Sequence, residues 1–403
     1  MKILTIAATP FFSDRGGHMR IYNEAKYLQK LGAEVRLCTY HIGENTEGLD
    51  IVRIKGAKSY KKTSPGFSWG KIWLDLKLLF LVRREIINFH PDAIHAHLYE
   101  GLAIGYLAKK LSFSKIPIVF DLQGDLEEEF RSYNKKNSLA QKFFVWFSRV
   151  VINWADKIVI SSENVIIWTS DVQIIKDGID VDLFHNSPKL SKDEAEKIEK
   201  IKEWAGDSRL LVYIGGLSDN KGVGELLESF SKVRPFPFPA VRREIPQGQT
   251  LKKSWKLLLG GFGEDEDKYK KYIAENNLED SVCFAGKVKY FSLPHFLALA
   301  DAAIDPKSGS TESSGKLMNL MASGLPIICF ENEFNRARLK EKGLYMDNFG
   351  DLKSILENIE PLSKIDYDLE NFSEEEETQK LLAIFRQLLK KNENTSHKNR
   401  KSA

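Results

Sequence analysis

The sequence predicts an α/β protein built as two doubly wound, Rossmann-like domains. Three observations carry that prediction. Short apolar runs alternate with amphipathic stretches at helical spacing, and the alternation occurs in two successive series. Each series has a glycine-rich turn directly after its first apolar run, at Gly16-Gly17 and again from Gly215 to Gly222. Between the series, residues 185–207 are charged and suit a linker with a short outer helix. At 403 residues the chain is long enough for two cores. The domains are placed at 1–185 and 208–370, with a final helix near 374–391 and a polar, basic tail over 392–403 read as disordered.

The bulk properties exclude several classes. A net charge of +3 is nearly balanced, whereas a dedicated nucleic-acid binder would carry a strong basic excess. Cys38, Cys283 and Cys329 are scattered in apolar runs and read as reduced core residues, neither a disulfide framework nor a zinc site. The apolar run after Met1-Lys2 is too short for a signal sequence and reads as a first buried strand. No uninterrupted apolar run reaches membrane-spanning length. A cytoplasmic protein is expected.

In the first series, Ile3 to Ala7 is a strand, and Gly16 and Gly17 open the helix through Ile21, Ala25 and Leu28. Glycines at a helix N-terminus let a phosphate or sugar approach the backbone. The spacing is not G-x-G-x-x-G, so a dinucleotide is not indicated. Val35 to Tyr40 and Asp50 to Ile54 are further strands. Residues 69–89 form a helix with Ile72, Trp73, Leu76 and Phe80 among its apolar members and Lys71, Lys77, Arg83 and Arg84 interspersed. The favoured reading is a domain helix with a solvated basic face; the alternative is a peripheral contact with the inner membrane face. Ala93 to His97 is a strand whose end leads into Tyr99 and Glu100. His95 and His97 suggest a metal, but no third or fourth ligand sits at convincing spacing, and no metal is assigned. Pro117 to Asp125 is a strand with a polar end carrying Asp121 and Gln123, and Asp125 suits a helix cap. Lys157 to Ser161 and the run from Val172 are strands before the linker.

The second series opens with the strand Leu210 to Ile214, then Gly215-Gly-Leu-Ser-Asp-Asn-Lys-Gly222 and a helix through Leu226, Leu227 and Phe230. Its glycine and lysine spacing is not that of a P-loop. Pro235 to Gln249 reads as an exposed insertion. The strands over residues 256–261 and 281–285 end at Gly261 and just before Val288. Residues 305–330 then run as strand end, polar turn, helix, Gly-Leu-Pro stop and buried strand. Small residues Ser313, Ser314 and Gly315 at that helix start leave N–H groups that favour an anion. Lys316 can neutralise phosphate, and Glu312 and Asn319 can grip hydroxyls.

Asn319-Leu-Met-Ala-Ser-Gly-Leu-Pro326 closely matches the second half of E-G-F-G-x-x-x-x-E-A-M-A-x-G-x-P, the donor-binding segment of the retaining GT-B glycosyltransferases of family 4. The chain resembles that group over nearly its whole length. Asn319 stands at the second glutamate. Glu312 lies one residue too close for E-x7-E spacing: either the loop is a residue short or Thr311 holds the first glutamate's place. Asp177-Gly-Ile-Asp-Val-Asp-Leu-Phe184 resembles the family's N-G-V-D-x-x-x-F turn between domains. Gly215 to Gly222 resembles G-R-L-x-x-x-K-G, with Lys221 at the lysine and Gly216 where the arginine normally lies. Lys316 or Arg20 is the substitute cation considered.

The resemblance implies a GT-B fold, two Rossmann-like domains facing a cleft. It also implies retaining transfer from a UDP- or GDP-linked sugar to a saccharide or lipid-linked acceptor, without a cofactor or an obligatory metal. Lys221, Glu312 and Gln123 are the implied catalytic residues, Gln123 standing where the family usually has a histidine. Gly16, Gly17, Gly216, Gly261, Val288, Ser313, Ser314, Gly315, Lys316 and Asn319 are the implied donor contacts. His97, Glu100 and Asp121 fall on the acceptor side. The alternatives are a sugar-nucleotide epimerase and a catalytically weak sugar-nucleotide binder, the latter motivated by Gly216 and Asn319.

Overall fold

The computed structural model describes residues 1–13, 16–56, 69–123, 146–161, 171–233, 254–308, 315–360 and 364–401. The chain divides into two compact units, Met1–Gly178 with Phe372–Ala403, and Ile179–Asn371. Each is a parallel sheet between helices.

The first sheet contains β1 (Lys2–Ala7), β2 (Glu34–Thr39), β3 (Asp50–Arg53), β4 (Ala93–His97), β5 (Ile118–Leu122), β6 (Lys157–Ile160) and β7 (Val172–Ile174). They lie in the order β3-β2-β1-β4-β5-β6-β7, all parallel, with Ile6 of β1 between Cys38 and Ala96. The connecting helices are α1 (Gly16–Lys30), α2 (Trp69–Phe89), α3 (Leu98–Leu111) and α4, over 146–151. Side chains alternate across a strand, so β1 serves two cores. Leu4 and Ile6 join Leu74, Leu78 and Val82 of α2 and Leu102 and Ala108 of α3. Ile3 faces the other way, into Ala25 and Leu28 of α1.

The second sheet contains β8 (Arg209–Gly216), β9 (Trp255–Phe262), β10 (Val282–Gly286), β11 (Ala302–Asp305), β12 (Ile327–Phe330) and β13 (Leu344–Met346), in the order β10-β9-β8-β11-β12-β13. Its helices are α5 (Val181–His185), α6 (Lys192–Ala205), α7 (Val223–Ser231), α8 (Glu266–Glu275), α9 (Leu293–Leu297), α10 (Gly315–Ser323), α11 (Glu333–Leu339) and α12 (Leu352–Asn358). The charged stretch after residue 185 holds α6, which starts at a capping box of Ser191 and Glu194. Leu211, Tyr213, Leu257, Leu259 and Ile304 bury one face of this sheet against Val223, Leu226 and Phe230 of α7.

The last helix, α13 (Glu374–Lys401), belongs to the first unit, where Leu381, Leu382, Ile384 and Phe385 pack beside Ile3, Val119 and Val159. Its first turn is acidic. Glu377 accepts from the backbone N–H of Lys176 and Glu374 from that of Gly178, both at 2.9 Å. A carboxylate in that position also opposes the positive end of the helix dipole. The sequence places the end of this helix near residue 391; the backbone is helical to Lys401. The three cysteines are free thiols; burial pushes Cys329 up to about 12.

Candidate functional site

In each sheet the strand order reverses once, between β1 and β4 in the first and between β8 and β11 in the second. Connections leaving such a pair go to opposite faces and open a crevice at the strands' C-terminal ends. The candidate residues gather at these ends. Gly216 closes β8, Asp305 closes β11, His97 closes β4 and Gln123 follows β5.

The second unit builds its cluster from glycines that let backbone approach backbone. A Cβ on Gly222, at φ 75°, would lie 2.1 Å from the Pro306 carbonyl oxygen, so the turn after β8 touches the loop after β11. A Cβ on Gly261 would lie 1.8 Å from the Gly215 oxygen, and one on Gly260 would meet Val288 Cγ2 at 3.0 Å. Gly216 differs: among the described residues the only atom near its Cβ position is Lys221 Cγ, at 4.0 Å. Packing therefore leaves room there, beside Lys221. The acid of the same turn, Asp219, is taken by Lys268 Nζ at 2.6 Å and Tyr269 Oη at 2.9 Å.

Lys316 enters the same cluster from the start of α10. Its Nζ lies 3.0 Å from Asp305 Oδ1 and 4.6 Å from the centre of the Tyr213 ring, and its Cδ lies 2.8 Å from the Gly215 Cβ position. Tyr213 Oη donates to the Gly216 carbonyl at 2.7 Å. Burial works against the ammonium charge, but Asp305 and the Tyr213 oxygen hold it above the ordinary lysine range. Lys316 is thus one half of an ion pair, fixed beside the glycine turn. Asn319, one turn further along α10, is half-buried, and Gly315 is exposed.

The first unit holds a buried charged cluster. The Arg20 Nε donates to Asp121 Oδ2 at 2.9 Å, its Nη1 to Asp177 at 2.8 Å, and its Nη2 lies 2.9 Å from Glu24. His97 Nδ1 is 3.0 Å from Asp121 Oδ2. A carboxylate only accepts, so Nδ1 carries the hydrogen. The Gln123 amide donates to Asp121 Oδ2 at 3.0 Å, and its Oε1 stands 2.7 Å from the Cβ position of Gly17. His97 and Asp121 are 0% exposed, whereas Gln123 is half-buried. Burial alone would raise the Asp121 carboxyl, but Arg20 and His97 hold it well below the usual carboxylate range. Burial, only partly offset by Arg20, pushes Glu24 up, and burial beside His97 pushes His95 down.

The structure therefore brings Gly17, His97, Asp121 and Gln123 together in one unit, and Gly216, Lys221, Gly261, Val288 and Lys316 in the other. Gly16 is the first residue of α1, and Glu100 pairs with Lys71. Glu312, Ser313 and Ser314, with Thr311 and Asp125, lie outside the described residues, as does the 235–249 insertion. Arg20, considered as a substitute for the missing arginine, is committed within the first unit; Lys316 packs beside Gly215, and Lys221 is the side chain near Gly216. The structure also supplies the third ligand atom that spacing did not. Glu24 Oε2 lies 3.7 Å from His95 Nε2 and 3.9 Å from His97 Nε2. A cation held there would face the Arg20 guanidinium across the same carboxylate. The sequence signal for this cluster is Arg20 and Glu24, opposite charges at i and i+4 on the stripe of Ile21, Ala25 and Leu28.

The family model Glycosyltransferase Family 4 matches residues 15–183, and Glycosyl transferases group 1 matches residues 194–394. TuaC of Bacillus subtilis, named for teichuronic acid biosynthesis and glycosyl transfer, is 28% identical over 174 residues, 43% of each chain. The matched stretch thus spans less than half of that relative. Sucrose-phosphate synthase from Thermosynechococcus elongatus has the same fold, with a TM-score of 0.69 at 15% identity, over 96% of this chain and 99% of the other. HepE of Anabaena, in complex with UDP and glucose, gives 0.66 at 16% identity, over 96% and 99%.

Proposed function

The chain is a family 4-like glycosyltransferase of the two-domain GT-B fold, and from that premise we propose that it moves a sugar from a nucleotide-diphosphate donor with retention at the anomeric carbon. The observation that supports donor binding in this reading is that Lys221 Cγ lies 4.0 Å from the Gly216 Cβ position while the Tyr213–Lys316–Asp305 group packs at Gly215. The Lys221 ammonium and the glycine-turn amides suit a diphosphate and stabilise its charge as it departs, with Lys316 adding to the field from its ion pair with Asp305. HepE has been captured with UDP and with UDP-glucose, which supports a UDP-sugar as first candidate and GDP-linked sugars as second.

In this reading no metal or cofactor is required, because Lys221, Lys316 and the N-terminus of α10 supply the positive environment. The acceptor hydroxyl attacks from the face the nucleotide leaves, and a leaving phosphate oxygen takes its proton. Lys221 steadies the diphosphate, Asn319 the ribose diol, and Glu312 with Ser313 and Ser314 the donor's hydroxyls. Gln123 holds the transferred sugar. His97 and Asp121 act through Gln123 as positioning residues, since neither reaches the surface. The acceptor in this reading is a saccharide or lipid-linked molecule of cell-surface polysaccharide synthesis, met on the cytoplasmic side; TuaC's name, teichuronic acid biosynthesis, supports the polysaccharide part.

The test offers UDP-, GDP- and ADP-sugars with saccharide acceptors and reads the new anomeric signal by proton NMR. Retention of the donor's configuration is expected, and inversion overturns the mechanism. Epimerised donor formed without any acceptor would favour the epimerase instead.

A further inference from the structure

Among the described residues, eleven large apolar side chains stand exposed, and ten of them lie on a single helical layer of the first unit. They belong to α2, α3, the residue pair after α3, and α4. On α2, Ile72, Leu76 and Phe80 recur every four residues along one outward face, with Trp73 beside them. Trp73 is 57% exposed, Phe80 59% and Phe113 95%. The layer is continuous. All three helices bury their inner sides in the same core, Arg83 of α2 donates to the Leu111 carbonyl at the end of α3, and Tyr106 of α3 stacks on Trp154 just beyond α4.

The charges on this layer are sorted. The acids of α2 turn inward: Asp75 accepts from the Tyr40 hydroxyl, and Glu85, 4% exposed, is held by Arg36 at 3.0 Å. Arg83, Lys110, Lys115 and Arg149 stand exposed among the apolar side chains. Burial pushes the Asp75 carboxyl up to about 6, in keeping with its inward position.

We propose that this layer is a docking surface for an anionic lipid bilayer. The exposed aromatics enter the headgroup boundary, where amphipathic rings such as Trp are favoured, and the cations meet lipid phosphates. No described helix is long and apolar enough to cross a membrane, so the contact lies on the surface. A second copy is the poorer occupant, because a two-fold interface would set cations against cations. The surface stands on its own observations and holds whatever donor or acceptor the enzyme uses.

Flotation with phosphatidylcholine vesicles, with and without phosphatidylglycerol, tests this directly. The protein should float with the phosphatidylglycerol vesicles, bind plain phosphatidylcholine weakly, and release as ionic strength rises. Trp73→Glu with Phe80→Glu should weaken that binding at least about tenfold while leaving the thermal midpoint unchanged. Should that pair fold poorly, Phe113→Glu, at a nearly fully exposed site, should show the same direction of loss. The proposal is overturned if the wild-type protein fails to float with either vesicle. It is equally overturned if the charged variants bind as well as wild type, or if sedimentation shows a dimer that the same substitutions disperse while no vesicle binding occurs.

Discussion

Asp121 is the carboxylate on which the buried cluster of the first unit depends, because Arg20, His97 and Gln123 all converge on it. Its folded-state pKa lies below the unfolded value, so its contribution to stability is present above the ordinary aspartate range. That contribution is lost as pH falls from about 4 towards the depressed folded value. Asp121→Asn should destabilise the first unit by about 3 kcal/mol or more at neutral pH, since it breaks a fully buried ion pair. The variant should also show a shallower loss of stability between pH 4 and pH 3 than the wild type, both read from thermal midpoints. An equally steep acid loss in the variant would assign the effect to another group. The places of Gln123 and His97 at strand ends were legible in the sequence, because apolar runs marked β4 and β5 and their polar ends. Arg20 as their partner was not, since it lies 101 residues from Asp121 and meets it only once β1, β4 and β5 are side by side. Asp177, in the turn segment 177–184, also accepts from Arg20 Nη1 at 2.8 Å.

At the scale of elements, close backbone approaches fix how each unit closes. A Cβ on Gly178 would fall 2.4 Å from the Glu374 Cα, at the start of α13. Gly178→Ala should therefore loosen the α13 docking and lower the first unit's unfolding midpoint, by an equivalent of about 2 kcal/mol or more. Gly222→Ala combines left-handed backbone with the contact to Pro306 and should destabilise the second unit by a similar amount. Differential scanning calorimetry should separate the two, each variant moving its own unit's transition. Helix α2 shows where periodicity runs out. Its bounds at Trp69 and Phe89 could be read from the sequence, but it is apolar on several sides. Spacing alone cannot choose which side meets the sheet. Leu74, Leu78 and Val82 take the core, and the outward side carries Ile72, Leu76 and Phe80 as well as the exposed cations Arg83 and Arg84.

For the whole molecule, two sheets that each reverse order beside their first strand place glycine turns and polar strand ends together, once in each unit. Alternating apolar runs made that architecture readable, because parallel strands are buried on both faces and their helices are amphipathic. The return of α13 to the first sheet needed the three-dimensional fold, as did the Tyr213–Lys316–Asp305 group, in which Tyr213 comes from a distant strand to meet the two residues of the 305–330 stretch. The central claim is that these cations hold a nucleoside diphosphate without a divalent ion. Calorimetric titration of UDP, GDP and ADP into the full chain in EDTA tests it most directly. At least one should bind, and Lys221→Ala should weaken it by about 1.5–3 kcal/mol, roughly ten- to a hundredfold. Binding that appears only when magnesium is restored, or that is unchanged by Lys221→Ala, would contradict it.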